Sequence, residues 1–145
     1  MEKSVDIKIG EIIYEDTGMI TFILKEDAEI EIEDIKETHS AFTDLTKGKP
    51  FCIFTDARCN TTATTEARAY ASKHNIKTNL AVAILVHSTA MKLMANFYIQ
   101  FNKPIVPTKM FTKKDAAIKL AKSFLEKENN KRTPHQESLS NKLKR

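Results

Sequence analysis

The run LAVAILV, Leu80 to Val86, limits what this chain can fold into more than any other stretch. Seven consecutive apolar residues with no polar alternation predict a strand covered on both faces, and a sheet holding such a strand needs helices on either side. Phe51 to Thr55 is a second run of this kind, and Val106 to Phe111 is a shorter strand. The intervening stretches have helical spacing. Ile32, Ile35, Phe42 and Leu45 recur on one stripe with His39, and Gly48 followed by Pro50 stops it. Thr62 or Thr64 caps an alanine-rich helix carrying Glu66, Arg68 and Tyr70. Ser88 or Thr89 caps a helix from about Ala90 to Phe101, ended by Asn102 to Pro104. Thr112 to Asp115 form a capping box before the Ala117, Leu120, Ala121, Phe124 stripe of a last helix.

At the start of the chain Ile7, Ile9 and Ile13 alternate with charged neighbours, which predicts one half-buried strand. A turn at Asp16 to Gly18 pairs it with Met19 to Leu24. The order is ββαβαβαβα, an α/β class with a mostly parallel central sheet and helices packed on it. A chain of 145 residues has room for one domain. Its expected extent is residues 1–128, because 129–145 show no apolar periodicity and predict a disordered basic tail.

Several function classes are excluded or disfavoured by what the chain lacks. Three glycines cannot be arranged into a phosphate-binding loop, so no cofactor is expected. Cys52 and Cys59 are spaced for neither a redox pair nor half a zinc site, and no metal is expected. There is no apolar stretch suited to a secretory signal or a transmembrane segment, which predicts a cytoplasmic protein. The net charge of +4 is polarised: residues 1–44 hold 13 acidic and 4 basic side chains, whereas 45–145 hold 6 acidic and 19 basic. Folding can interleave these halves, and the aromatic residues fall at core positions, so nucleic acid is not an expected partner.

The buried strand ending in Asp56, the threonine-rich loop and helix after it, and LAVAILV leading into a further helix together resemble the STAS fold of anti-sigma factor antagonists. The likeness is closer to uncharacterised bacterial families described as STAS-like or SEC14-like. Residues 96–125, NFYIQFNKPIVPTKMFTKKDAAIKLAKSFL, look like the C-terminal third of such a family from Bacteroidetes. In the regulatory members a serine or threonine at the start of the helix after the Asp-bearing strand is phosphorylated by a partner kinase. The corresponding region here offers Thr61, Thr62, Thr64 and Thr65, without the glycine and serine of the regulatory motif. The resemblance implies a non-enzymatic interaction or regulatory module with a protein partner.

Ligands of parallel α/β sheets bind beyond the carboxyl ends of the strands. Two such ends supply Asp56, Arg58, Thr61, Thr62 and Thr64, and His87 and Ser88, as a candidate partner or ligand loop. Cys59, His87 and Asp56 would make a hydrolase constellation only if the fold brought them together. In the helix of residues 90–101, one face carries Ala90, Leu93, Met94, Phe97 and Phe101 for the sheet. Met91, Tyr98 and Ile99 lie on a surplus apolar face that predicts a homodimer contact. The rival to the interaction module is a small-molecule or lipid carrier, as the SEC14-like likeness implies. It predicts an apolar cavity of ~300 Å3 or more, whereas the interaction module predicts a close-packed core.

Overall fold

The computed structural model describes residues 2–59, 61–93, 99 and 103–144, with the backbone alone for 132–144. In chain order the elements are β1 (Glu2–Ile7), β2 (Gly10–Glu15), β3 (Met19–Leu24), β4 (Glu29–Ile30), α1 (Ile32–Thr46), β5 (Phe51–Asp56), β6 (Thr62–Ala63), α2 (Thr65–Lys73), β7 (Asn79–Leu85), β8 (Thr108–Phe111) and α3 (Lys114–Lys144). Residues 89–93 are also helical. The main sheet has the order β1-β2-β3-β5-β7-β8. Its first three strands are antiparallel, and β3, β5, β7 and β8 are parallel. The α/β class and the strand–helix alternation after the opening hairpin are those expected.

One expectation fails at the start of the chain. The alternation from Ile7 to Ile13 does not form one strand: the chain reverses at Lys8 and Ile9, pairing Ile7 with Gly10. Burial changes phase at the reversal: Ile7 and Ile9 are buried up to it, Gly10, Ile12 and Tyr14 after it, and Ile13 is only half-buried. Gly10 is required by close approach, since a Cβ there would stand 2.3 Å from the Ile23 carbonyl oxygen. Gly18 meets a different demand: at φ +103° it makes the β2–β3 turn that side-chain-bearing residues rarely adopt.

The acidic run from Glu26 to Glu37 is not uniformly exposed to solvent. Asp34 is only 3% exposed. Its carboxylate accepts from the Glu31 backbone N–H at 2.9 Å and pairs with Lys8 at 3.4 Å, fixing the first turn of α1 against the β1–β2 turn. At the other end, Lys47 in the left-handed region at φ 51° donates to the Thr43 carbonyl, and Gly48 follows, as the stop signal predicts.

Each face of the sheet has its own core. On one, Ile12, Ile20, Phe22, Phe51 and Ile53 pack with Phe42 of α1. On the other, Met19, Cys52, Phe54, Ala81, Ala83 and Leu85 pack with Ala117, Ala121 and Leu125 of α3. The two alanines of β7 against two of α3 let helix and sheet approach closely. The opposite side of β7 is different: Val82 and Ile84 are only half-buried, although the strand lies between β5 and β8. Among the described residues, the strand expected to be covered on both faces is covered fully on one and partly on the other.

Helix α3 continues through residues 129–144, where composition predicts a disordered tail. Lys, Glu and Gln in this stretch are good helix formers, which extends the helix without giving it an apolar stripe. Leu125 is the last α3 residue in the described core. A domain boundary at Glu128 therefore remains the proposal, and truncation after Glu128 is expected to move the melting temperature by no more than ~2 °C, the effect of about 0.5 kcal/mol in a domain of this size. A loss of many degrees would show that residues 129–145 dock on the domain.

Candidate functional site

The half-buried side of β7 forms the floor of an apolar recess of about 330 Å3. Ile53, Val82, Ile84 and Met110 project into it from three parallel strands, and Phe42 and His39 of α1 close one end. Ala71 and Ser72 of α2 with His74 at its C-terminal cap form a side wall, and Pro104 to Val106 with Ile99 form the other. Helix α2, of nine residues, walls one side of the recess, whereas the longer α3 packs on the other face of the sheet. Its rim is exposed at Ala71, His74, Asn75 and Ile105, the last 64% exposed.

The polar groups of the recess are few and differ in what satisfies them. Ser72 donates to the Ala69 carbonyl and Thr108 to the Val106 carbonyl, so both hydroxyls are used locally. His74 lies with Nδ1 3.0 Å from the Tyr70 carbonyl and its ring stacked on Tyr70 at 3.9 Å. Lys36 reaches from α1 over the same tyrosine ring at 5.8 Å. Arg68 donates to the Ala63 carbonyl and to Thr65 Oγ1. His39 is half-buried and its ring has no hydrogen bond among the described residues. Burial pushes its imidazole below the ordinary 6.5, and neighbouring His74 adds to the shift. Asn79 Oδ1 is buried without a hydrogen-bond partner among the described residues.

The loop singled out from sequence proves to be tied down. Asp56 accepts two hydrogen bonds from the Arg58 guanidinium, at 3.0 and 2.7 Å. Those bonds, partly opposed by burial, hold its carboxyl below the usual range. Thr62 and Ala63 form β6, laced to β4 through Thr62 N to Ala28 O and Thr64 N to Ile30 O. Thr64 caps α2 by accepting from Ala67 N at 3.0 Å, and the Thr61 backbone turns back on the Cys59 carbonyl. Ser88 accepts from Met91 N, and His87 is exposed. Cys59 Sγ donates to the Leu24 carbonyl at 3.2 Å, and Asp56 is engaged by Arg58, so neither is disposed to serve His87 in a nucleophilic set. Cys52 is a core residue whose thiol burial pushes up to about 12. Among the described residues no cluster of His, Cys, Asp and Glu is placed to hold a metal ion, and no helix is long and apolar enough to cross a membrane.

Of the expected dimer face, Tyr98 lies outside the described residues, while Met91 and Ile99 are half-buried. Leu93, assigned to the sheet face by helical spacing, is instead 67% exposed. Ile99, assigned to the outer face, lines the recess. Sequence reasoning missed the recess residues Val82, Ile84, Asn79 and Ile105; the available signal was LAVAILV itself, which demands a cover on both faces.

A family model described as "Domain of unknown function (DUF7793)" matches residues 13–125. The chain belongs to that family. The match begins within β2 and ends at Leu125, so this DUF7793 domain includes every strand and helix that lines the recess. No curated protein matches. Among solved structures, the chain is similar to an uncharacterised protein of the DUF3478 family from Shewanella loihica PV-4, described as having a SpoIIAA-like fold, with 13% identity over 83% of this chain and 92% of that one and a TM-score of 0.49.

Proposed function

We propose that this domain is a non-enzymatic binding module that holds a small apolar molecule between the sheet and helices α1 and α2. The observation that carries this is the recess itself: about 330 Å3, floored by Ile53, Val82, Ile84 and Met110, in a place where a close-packed domain would have side chains. The buried, unpartnered Asn79 Oδ1 on its lining supports it, because such an atom calls for a water or a ligand group. The SEC14-like likeness of the sequence, with its bacterial and cytoplasmic setting, agrees with a carrier more closely than with a phosphorylation switch whose threonines are tied into β6 and the α2 cap.

A second function is favoured by exposed Leu93 and Ile105: a STAS-like protein-interaction or regulatory module acting as a homodimer, with Met91, Tyr98 and Ile99 near the contact and the threonine loop toward a protein partner. Native mass spectrometry of the full chain, purified without denaturation, separates the two. The carrier predicts a monomer whose mass exceeds 16.5 kDa by that of a small organic molecule, released on acid denaturation. A ligand-free dimer would favour the interaction module instead.

A further inference from the structure

The recess has a chemical bias beyond its apolar floor. Among the described residues, every ionisable side chain that lines it is a base: His39 from α1, Arg68 from α2 and His74 at its C-terminal cap. No Asp or Glu is among those described lining residues, in a chain with 19 of them. The nearby acids of α1 are turned elsewhere, Asp34 to Glu31 and Lys8, and Glu37 to the Lys8 backbone. The strands and residues 104–106 contribute apolar side chains with Asn79 and Thr108. Lys36 and Tyr70 complete the surroundings of the two histidines, adding a further positive charge.

We infer that the ligand is a medium-length apolar chain ending in a carboxylate, with the chain over Val82 and Ile84 and the carboxylate at the mouth between His39 and His74. This rests on the recess being the binding site. About 330 Å3 is at the small end of the range of small-molecule sites, which suits a single chain of the scale of an eight-carbon acid. His39 supplies the recognition step. Unliganded, its imidazolium is disfavoured by burial and by His74; a carboxylate alongside offsets both and draws a proton onto the ring.

The sign follows. The unfolded chain binds a proton at His39 near pH 6.5, above the folded value, so the unliganded protein loses stability as pH falls below about 6.5. The carboxylate complex has the raised value, so affinity for the anion grows as pH falls from 8 to 6. An opposite charge at close range moves such a group by ~1 to 3 pH units, which corresponds to about tenfold or more in affinity.

Octanoate and 1-octanol are the probes, titrated into the full chain at pH 6 and pH 8 by calorimetry. Octanoate is expected to bind about tenfold more tightly at pH 6, octanol equally at both, and His39→Gln with His74→Gln to flatten the octanoate dependence. If octanol binds and octanoate does not outdo it at pH 6, or octanoate affinity is the same at both pH values, the carboxylate inference is overturned while the recess stands as a binding site. If neither binds, the recess is not the site and the inference falls with it.

Discussion

Phe51→Ala is expected to destabilise the domain by about 3–5 kcal/mol, the range for truncating a buried aromatic side chain. Phe51 is fully buried at the head of β5, where its ring meets Phe42 of α1 edge-on at 6.1 Å. Phe42 in turn meets Phe22 of β3 at 5.9 Å and 88°, so the three rings bridge helix and sheet as one unit. Removing the middle strand's ring leaves a void that the paired strands β3 and β7 cannot close, because their backbones are fixed by hydrogen bonds on both sides of β5. Against a total stability of ~5–15 kcal/mol this is a large fraction. Chemical denaturation should show a lower midpoint with an unchanged slope. A cost under about 1 kcal/mol would mean that this face of the core repacks freely.

Ile84→Trp is expected to leave the domain folded and to abolish binding of an apolar ligand. Ile84 lies on the recess floor and is half-buried, so an indole has open space to enter, unlike at a packed core position. An indole displaces at least three or four methylene-sized groups of ligand. At ~0.8 kcal/mol for each buried methylene this is about 3 kcal/mol, or a loss of more than ~100-fold in affinity. The same change at Leu85, one residue on and packed against α3, would instead overfill a closed core.

That difference between neighbouring residues marks how far the sequence was legible. LAVAILV announced an inner strand, and β7 is one; nothing in its seven apolar residues distinguishes Leu85, which α3 covers, from Ile84, which faces open space. Coverage depends on the length and placement of helices far away in the chain: α2, of nine residues, walls one side of the recess, and the longer α3 packs on the other face of the sheet. The chain reversal inside Ile7 to Ile13 changes the phase of burial, from Ile7 and Ile9 before it to Ile12 and Tyr14 after it, and the adjacent pair Ile12-Ile13 was the local sign of that change. The threonine loop was legible in position, and Thr64 caps α2 as composition suggested, but its lacing to β4 is a long-range pairing with no local signal. His39 was visible on an apolar stripe; that His74 comes up beside it follows from the packing of α1 on α2 and not from any spacing.

Calorimetric titration of the unmodified protein and of Ile84→Trp with 1-octanol decides whether the recess binds, because the ligand is neutral and apolar and the substitution fills the recess floor. The account predicts saturable binding of one molecule per chain with a negative heat-capacity change, and no saturable binding to the folded Ile84→Trp protein. Equal binding to both proteins, or none to either, would contradict it.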